Sequence, residues 1–134
     1  MKRFGLALCA LMLATPALAQ EVTVTPVLRT ISTATGQPIV FPQENAELVV
    51  ATYEIQPGAV LPEHEHPHPR FAYVLQGNLR VDNTEMGKSD TYKAGDFIVE
   101  AISEWHKGTN IGTDPVKLLV IDVIPKDGKN VVVK

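Results

Sequence analysis

Cysteine is almost missing from this chain: its 134 residues contain one, Cys9, so no intramolecular disulfide or thiolate metal cluster can form. Basic residues are also few. Twelve Lys and Arg against fifteen Asp and Glu give a formal net charge of -3, with no cationic excess to neutralise phosphates, which excludes a nucleic-acid binder. The longest apolar run, Phe4 to Ala14, has 11 residues, well short of the ~20 needed to span a bilayer as a helix. Repeats, linkers and low-complexity tracts are lacking, as are a glycine-rich phosphate loop and a nucleophile elbow. With 45% hydrophobic and 20% charged residues, the composition excludes disorder, collagen and coiled coil. What is present fits one small globular domain.

The first 19 residues read as an address. Lys2 and Arg3 form a positive segment, the apolar run follows, and Ala17-Leu18-Ala19 supplies a small-x-small cleavage site. A cleaved signal peptide over 1–19 is expected, with Gln20 as the mature N-terminus and the periplasm or the medium as destination. Leu8 stands before Cys9 where lipidation would need a small residue, so a lipoprotein is not expected. Cleavage removes the only cysteine and leaves 115 residues, with 10 basic against 15 acidic side chains. That length can bury a core without cross-links.

Residues 20–134 read as strands and turns. Val22 to Thr25 alternates, Leu48 to Ile55 is β-branched and apolar, and Phe71 to Leu75 leads through Gly77 into the alternating Asn78 to Asp82. Asp82 to Asp90 is expected to be a hairpin loop, followed by strands at Thr91–Lys93, Phe97–Val99 and Val116–Ile124. No stretch carries helical periodicity with caps. Short strands separated by proline and glycine predict one all-β domain, a sandwich or barrel.

All four histidines fall in two windows, His64, His66 and His68 in one and His106 in the other. On a strand, residues i and i+2 share a face, so His64 and His66 project together, and a neighbouring strand can bring His106 to them. Three imidazoles around one point suit a divalent transition metal (Fe, Zn, Mn, Ni or Cu) with an open position for a ligand. Solvent-exposed histidines in a proline-rich loop are the plainer alternative.

The surrounding spacing resembles both motifs of the cupin family. Gly58, His64, His66 and Gly77 stand at the intervals of the first motif, and Gly95, His106 and Asn110 at those of the second. The resemblance implies a small antiparallel β-barrel of the double-stranded β-helix, jelly-roll-like type, with six to eleven strands in two sheets. It also implies His64, His66 and His106 as metal ligands and suggests a homodimer, which pairing through the edge segment Val22–Val27 could form. Two departures stand out: Ala101-Ile102-Ser103 replaces the Pro-x-Gly of the second motif, and Arg70 replaces the glutamate ligand of the first.

A guanidinium about 5 Å from a divalent ion would repel it by roughly 6–7 kcal/mol at an effective dielectric of ~20. Three outcomes follow. Arg70 turns away and the histidines hold the metal alone, with His68 as a possible substitute ligand; or Arg70 stays and binds a small substrate anion; or no metal binds and the barrel is a metal-free small-molecule-binding module. A surface ion pair of Arg70 with Glu63 or Glu65 is the simplest alternative. Arg70 is therefore the expected substrate-binding residue, with Tyr73 as pocket wall, for a metal-dependent oxygenase or isomerase acting on a small carboxylate. Glu100 and Glu104 are acid–base candidates whose direction the spacing does not give, and Trp105 should face away from His106.

Overall fold

A computed structural model describes residues 22–134, so the leader read in residues 1–19 lies outside the described residues. Nine strands form in chain order: β1 (Ala46–Ile55), β2 (His64–Glu65), β3 (Arg70–Gln76), β4 (Asn78–Asn83), β5 (Lys88–Lys93), β6 (Phe97–Val99), β7 (His106–Asn110), β8 (Val116–Pro125) and β9 (Val132–Val133). They build two antiparallel sheets, ordered β1-β8-β3-β6 and β5-β4-β7-β2-β9. No helix is present among the described residues. The all-β fold expected from the sequence is observed.

β8 is the axis of the first sheet because it is long, apolar and β-branched. It pairs with β1 along its whole length, from Val116 opposite Ile55 to Pro125 opposite Ala46, and with β3 on its other side. Val116, Leu118, Val120, Asp122 and Ile124 point inward and are buried, alternating with half-buried or exposed neighbours. Ala72 and Val74 of β3, Ile98 of β6 and Leu79 of β4 meet them in a core between the sheets. Each large aliphatic side chain buried there contributes roughly 1.5–3 kcal/mol. The inward row of β8 is apolar as far as Val120 and becomes polar at Asp122, where Arg70 of β3 stands opposite. That change of character marks where the site begins.

Gly77 makes the crossing from β3 in one sheet to β4 in the other. Its φ of +86° suits glycine, and an added Cβ would lie 2.9 Å from the Pro115 carbonyl oxygen and from Val116. Both the dihedral and the close approach therefore require a residue without a side chain.

Three local expectations are corrected. Val22–Thr25 forms no strand; between residues 22 and 45 the only ladder contact is the bridge of Ser32 with Pro38. The segment from Asp82 to Asp90 is not mostly loop, since β4 and β5 pair down to Asn83 opposite Lys88 and turn only between them. His64 and His66 do not share one strand, because β2 ends at Glu65.

Candidate metal centre

β2 is short because Pro62 and Pro67 flank it, yet it sits where it matters. His64 pairs directly with His106 of β7 on one side and with Val133 of β9 on the other. His66, one step beyond the strand, keeps the inward direction of His64. The three ring centroids form a nearly regular triangle, 4.5 Å for His64–His106, 4.8 Å for His66–His106 and 4.9 Å for His64–His66. One nitrogen from each ring lies within 4.8 Å of the others. His66 is wholly buried, and His106 and His64 are 3% and 9% exposed. The exposed-loop alternative for these three histidines is therefore excluded.

The backbone sets the tautomer of each ring. His64 Nδ1 is 2.7 Å from the Pro62 carbonyl oxygen, His66 Nδ1 is 2.6 Å from that of Asn130, and His106 Nδ1 is 2.8 Å from that of Glu104. A carbonyl only accepts, so each Nδ1 carries its hydrogen and donates. In the neutral ring Nε2 is then an unprotonated lone pair, the form that ligates a metal.

Glu100, just past β6, reaches two of the three rings. Its Oε2 lies 3.1 Å from His66 Nε2 and 3.2 Å from His106 Nε2, and its side chain is 15% exposed. Neither approach follows a hydrogen-bond direction, and both buried Nε2 atoms are left without a hydrogen-bond partner. Lone pairs facing a carboxylate repel unless a cation lies between them. A proton meets that demand in part: burial pulls His106 down, but the nearby Glu100 carboxylate outweighs it and holds the imidazole above its usual range. Burial would likewise raise Glu100, yet His106 and His66 keep it well below the ordinary carboxylate range. Burial holds His64 below its usual value. Two orphaned nitrogens, a third lone pair and a buried carboxylate form a donor set that a divalent transition metal fits.

Arg70 lines the same interior but is already paired. Its Nε and Nη2 donate to Asp122 Oδ1 and Oδ2 at 2.7 and 2.8 Å, and Tyr53 packs beneath the guanidinium with its ring centroid 5.6 Å from Cζ. Burial lowers the Arg70 pKa, but the Asp122 hydrogen bond and the neighbouring negative charges leave it raised. The alternative of a surface pair with Glu63 or Glu65 is not what is found, since Arg70 is 5% exposed and bound to Asp122; Glu63 instead meets Thr84 and Lys134.

Asn130 joins the parts. Its Nδ2 donates to Asp122 Oδ1 at 2.6 Å, its Oδ1 accepts from the His68 backbone N–H, and its carbonyl is the one that aims His66.

The structure does not bring every candidate together. Tyr73 lies on the opposite face of β3 from Arg70, beside Phe71 and Phe97, in an apolar cleft of about 620 Å³ that contains none of the histidines. Its expected place in the substrate pocket is corrected by strand parity. His68 lines another outer cleft, with Phe41 and Pro125. Glu104 accepts from Asn83 and does not enter the site. Trp105 is partly covered by Lys134, whose Nζ is 5.5 Å from the ring centroid. Asn110 holds its own loop through the carbonyls of Ile55 and Asp114.

Sequence reading missed Asp122, Asn130 and Tyr53. Asp122 had a signal, a lone carboxylate in the apolar Val116–Ile124 run at the parity of its buried residues. Asn130 and Tyr53 had none. His64, His106, Glu100 and Arg70 line a small interior cavity of about 40 Å³. A cleft of about 160 Å³, lined by Tyr53, Leu61, Pro62, His64, Arg70, Val131 and Val133, shares Tyr53, Leu61, His64 and Arg70 with that cavity and so stands as its mouth.

Comparison with known proteins agrees with this architecture. A family model for the cupin domain matches residues 51–122. The oxalate decarboxylase of Lactobacillus farciminis, solved as a formate complex, is 29% identical with a TM-score of 0.55, over 64% of this chain and 26% of its own. The chain therefore spans about a quarter of that protein's length. A predicted oxalate decarboxylase from Thermotoga maritima is 25% identical, TM-score 0.51, over 60% of this chain and 68% of its own. An uncharacterized double-stranded β-helix protein of Klebsiella pneumoniae is 19% identical with a TM-score of 0.54, over 84% of this chain and 97% of its own, a likeness of fold alone. No curated protein matches the chain.

Proposed function

The chain belongs to the cupin family, and from that premise we propose that His64, His66 and His106 hold a divalent first-row metal and present it to a small anionic molecule. The single observation behind this is that all three Nδ1 hydrogens are committed to carbonyls, which turns three Nε2 lone pairs onto one buried point. When bound, the metal would supply Lewis acidity or a redox-active centre beside the ligand. The chain's own residues fix the three imidazoles and wall the mouth with Tyr53, Leu61 and Val133.

The interior cavity beside the histidines, about 40 Å³, and the mouth, about 160 Å³, are both below the ~300–1,000 Å³ of pockets for drug-sized ligands, which favours a small molecule. The likeness to proteins named oxalate decarboxylases supports a small carboxylate as the ligand and adds decarboxylation to metal-dependent oxygenation and isomerisation as the reaction classes open to the site. Arg70 stands at the mouth, and the guanidinium edge not turned to Asp122 would orient the anion.

Metal content of protein purified without an affinity tag tests the reading. One equivalent in wild type, lost on combining His64→Ala with His106→Ala, is expected. Substoichiometric metal unchanged by the double substitution would overturn it and leave a metal-free binding module. We also propose export by the leader in residues 1–19 and a homodimer using Val22–Val27 and the outer face of the β1-β8-β3-β6 sheet, where Leu48 and Val50 are exposed. N-terminal sequencing, expected to begin at Gln20, and a solution mass of twice the protomer check the two; an uncleaved or monomeric product would refute them.

A further inference from the structure

The replacement of a carboxylate by Arg70 leaves β3 without an acidic ligand, and the same stretch of structure supplies one from next door. Glu100 follows Val99, two residues beyond the buried Ile98 that pairs with Ala72, and so shares its inward direction. Its backbone N–H donates to the carbonyl of Arg70 itself at 3.0 Å. The two residues are thus bonded neighbours on adjacent lengths of chain, and a carboxylate stands one strand across from Arg70.

We infer that Glu100 is the fourth protein ligand of the metal held by His64, His66 and His106, taking the place of the acid absent at position 70. This rests on the metal reading above and deepens it. One carboxylate oxygen already lies 3.1 and 3.2 Å from two of the three converging nitrogens, without the alignment of a hydrogen bond. Among the described residues its only ion-pair partners are those imidazoles, while Arg70 is committed to Asp122. A buried acid facing two lone pairs is a costly arrangement without a cation, and a shared metal removes the cost.

The alternative role for Glu100 is a proton carrier that touches the ligand and not the metal. Zn(II) competition against a chromophoric chelator and the visible spectrum of the Co(II) form separate the two, using the mature chain as wild type, Glu100→Gln and Glu100→Asp. Loss of a group that only orients a ligand costs about 10–100-fold in metal affinity, so loss of a direct ligand in Glu100→Gln should weaken Zn(II) by on the order of 100-fold or more. It should also shift the Co(II) bands, and Glu100→Asp should recover part of both. Wild-type protein labelled with [¹³C]glutamate should show one carboxylate stretch displaced on metal loading, a readout that needs no variant to fold. Zn(II) affinity within threefold and an unchanged Co(II) spectrum in Glu100→Gln, or no displaced glutamate band, would overturn the assignment and leave the three-histidine reading standing. Absence of Zn(II) and Co(II) binding by wild type would overturn both.

Discussion

Replacing Asp122 by Asn would remove one charge from a buried pair and leave its outline intact. The guanidinium of Arg70 is 5% exposed, the Asp122 side chain 11%, and their two contacts are 2.7 and 2.8 Å. At an effective dielectric of ~20 the gross attraction over that distance is about 6 kcal/mol, much of it offset by the cost of dehydrating both ions. Removing one partner strands the other, and such losses run to about 3–5 kcal/mol. For a domain of this size the unfolding entropy gives about 4 °C per kcal/mol, so melting should fall by about 12–20 °C. The measurement is thermal and urea unfolding of chelator-treated protein, so that metal linkage does not enter. The double substitution Arg70→Met with Asp122→Leu should regain most of the loss, short of about 1–3 kcal/mol because Asn130 Nδ2 loses its acceptor. A single variant melting within about 2 °C of wild type, the range of a surface change, would refute the reasoning. So would a double variant less stable than the single one.

Three further outcomes are expected. Asn130→Ala keeps the carbonyl that aims His66 but loses the side-chain bonds to His68 and Asp122, so metal affinity should drop by about 10-fold, read by competitive titration, with no change in stoichiometry. Metal-free protein should be most stable near pH 6.5: His106, held above that value, contributes stability that is lost as pH rises through its raised pKa, whereas His64, held below it, destabilises the fold as pH falls. Metal affinity should instead climb with pH as the imidazoles lose protons, and melting temperatures of chelated protein that rise steadily from pH 6 to 8 would contradict the assignment.

The long strands were legible because each carries its own signal. β1 and β8 are rich in β-branched residues, β3 is an aromatic and apolar run, and β4 and β6 follow turn residues. Val22–Thr25 has the same alternation yet makes no strand, since alternation supplies a face and not a partner. β5 was read too short because Lys88, Ser89 and Asp90 are polar; on an edge strand with one solvated face, polarity does not oppose pairing. The histidine triangle was visible from spacing, since the ligands lie in two short windows that a β-ladder joins. The Arg70–Asp122 pair was hidden because its partners are 52 positions apart and meet only through the register of β3 on β8. Glu100 was noticed but had no direction, which depends on where β6 ends.

The three carbonyls that orient the imidazoles differ in reach. Pro62 and Glu104 stand two positions before the rings they steer, so His64 and His106 need only their own tripeptides to be aimed. His66 borrows its carbonyl from a residue 64 positions downstream. Fraying of the stretch around Asn130 would therefore leave the His66 ring unaimed and the proposed chelate weaker, even with every ligand still in the chain. For the proposed metal, discrimination between ions would then depend on the closing stretch around Asn130 as much as on the ligands themselves.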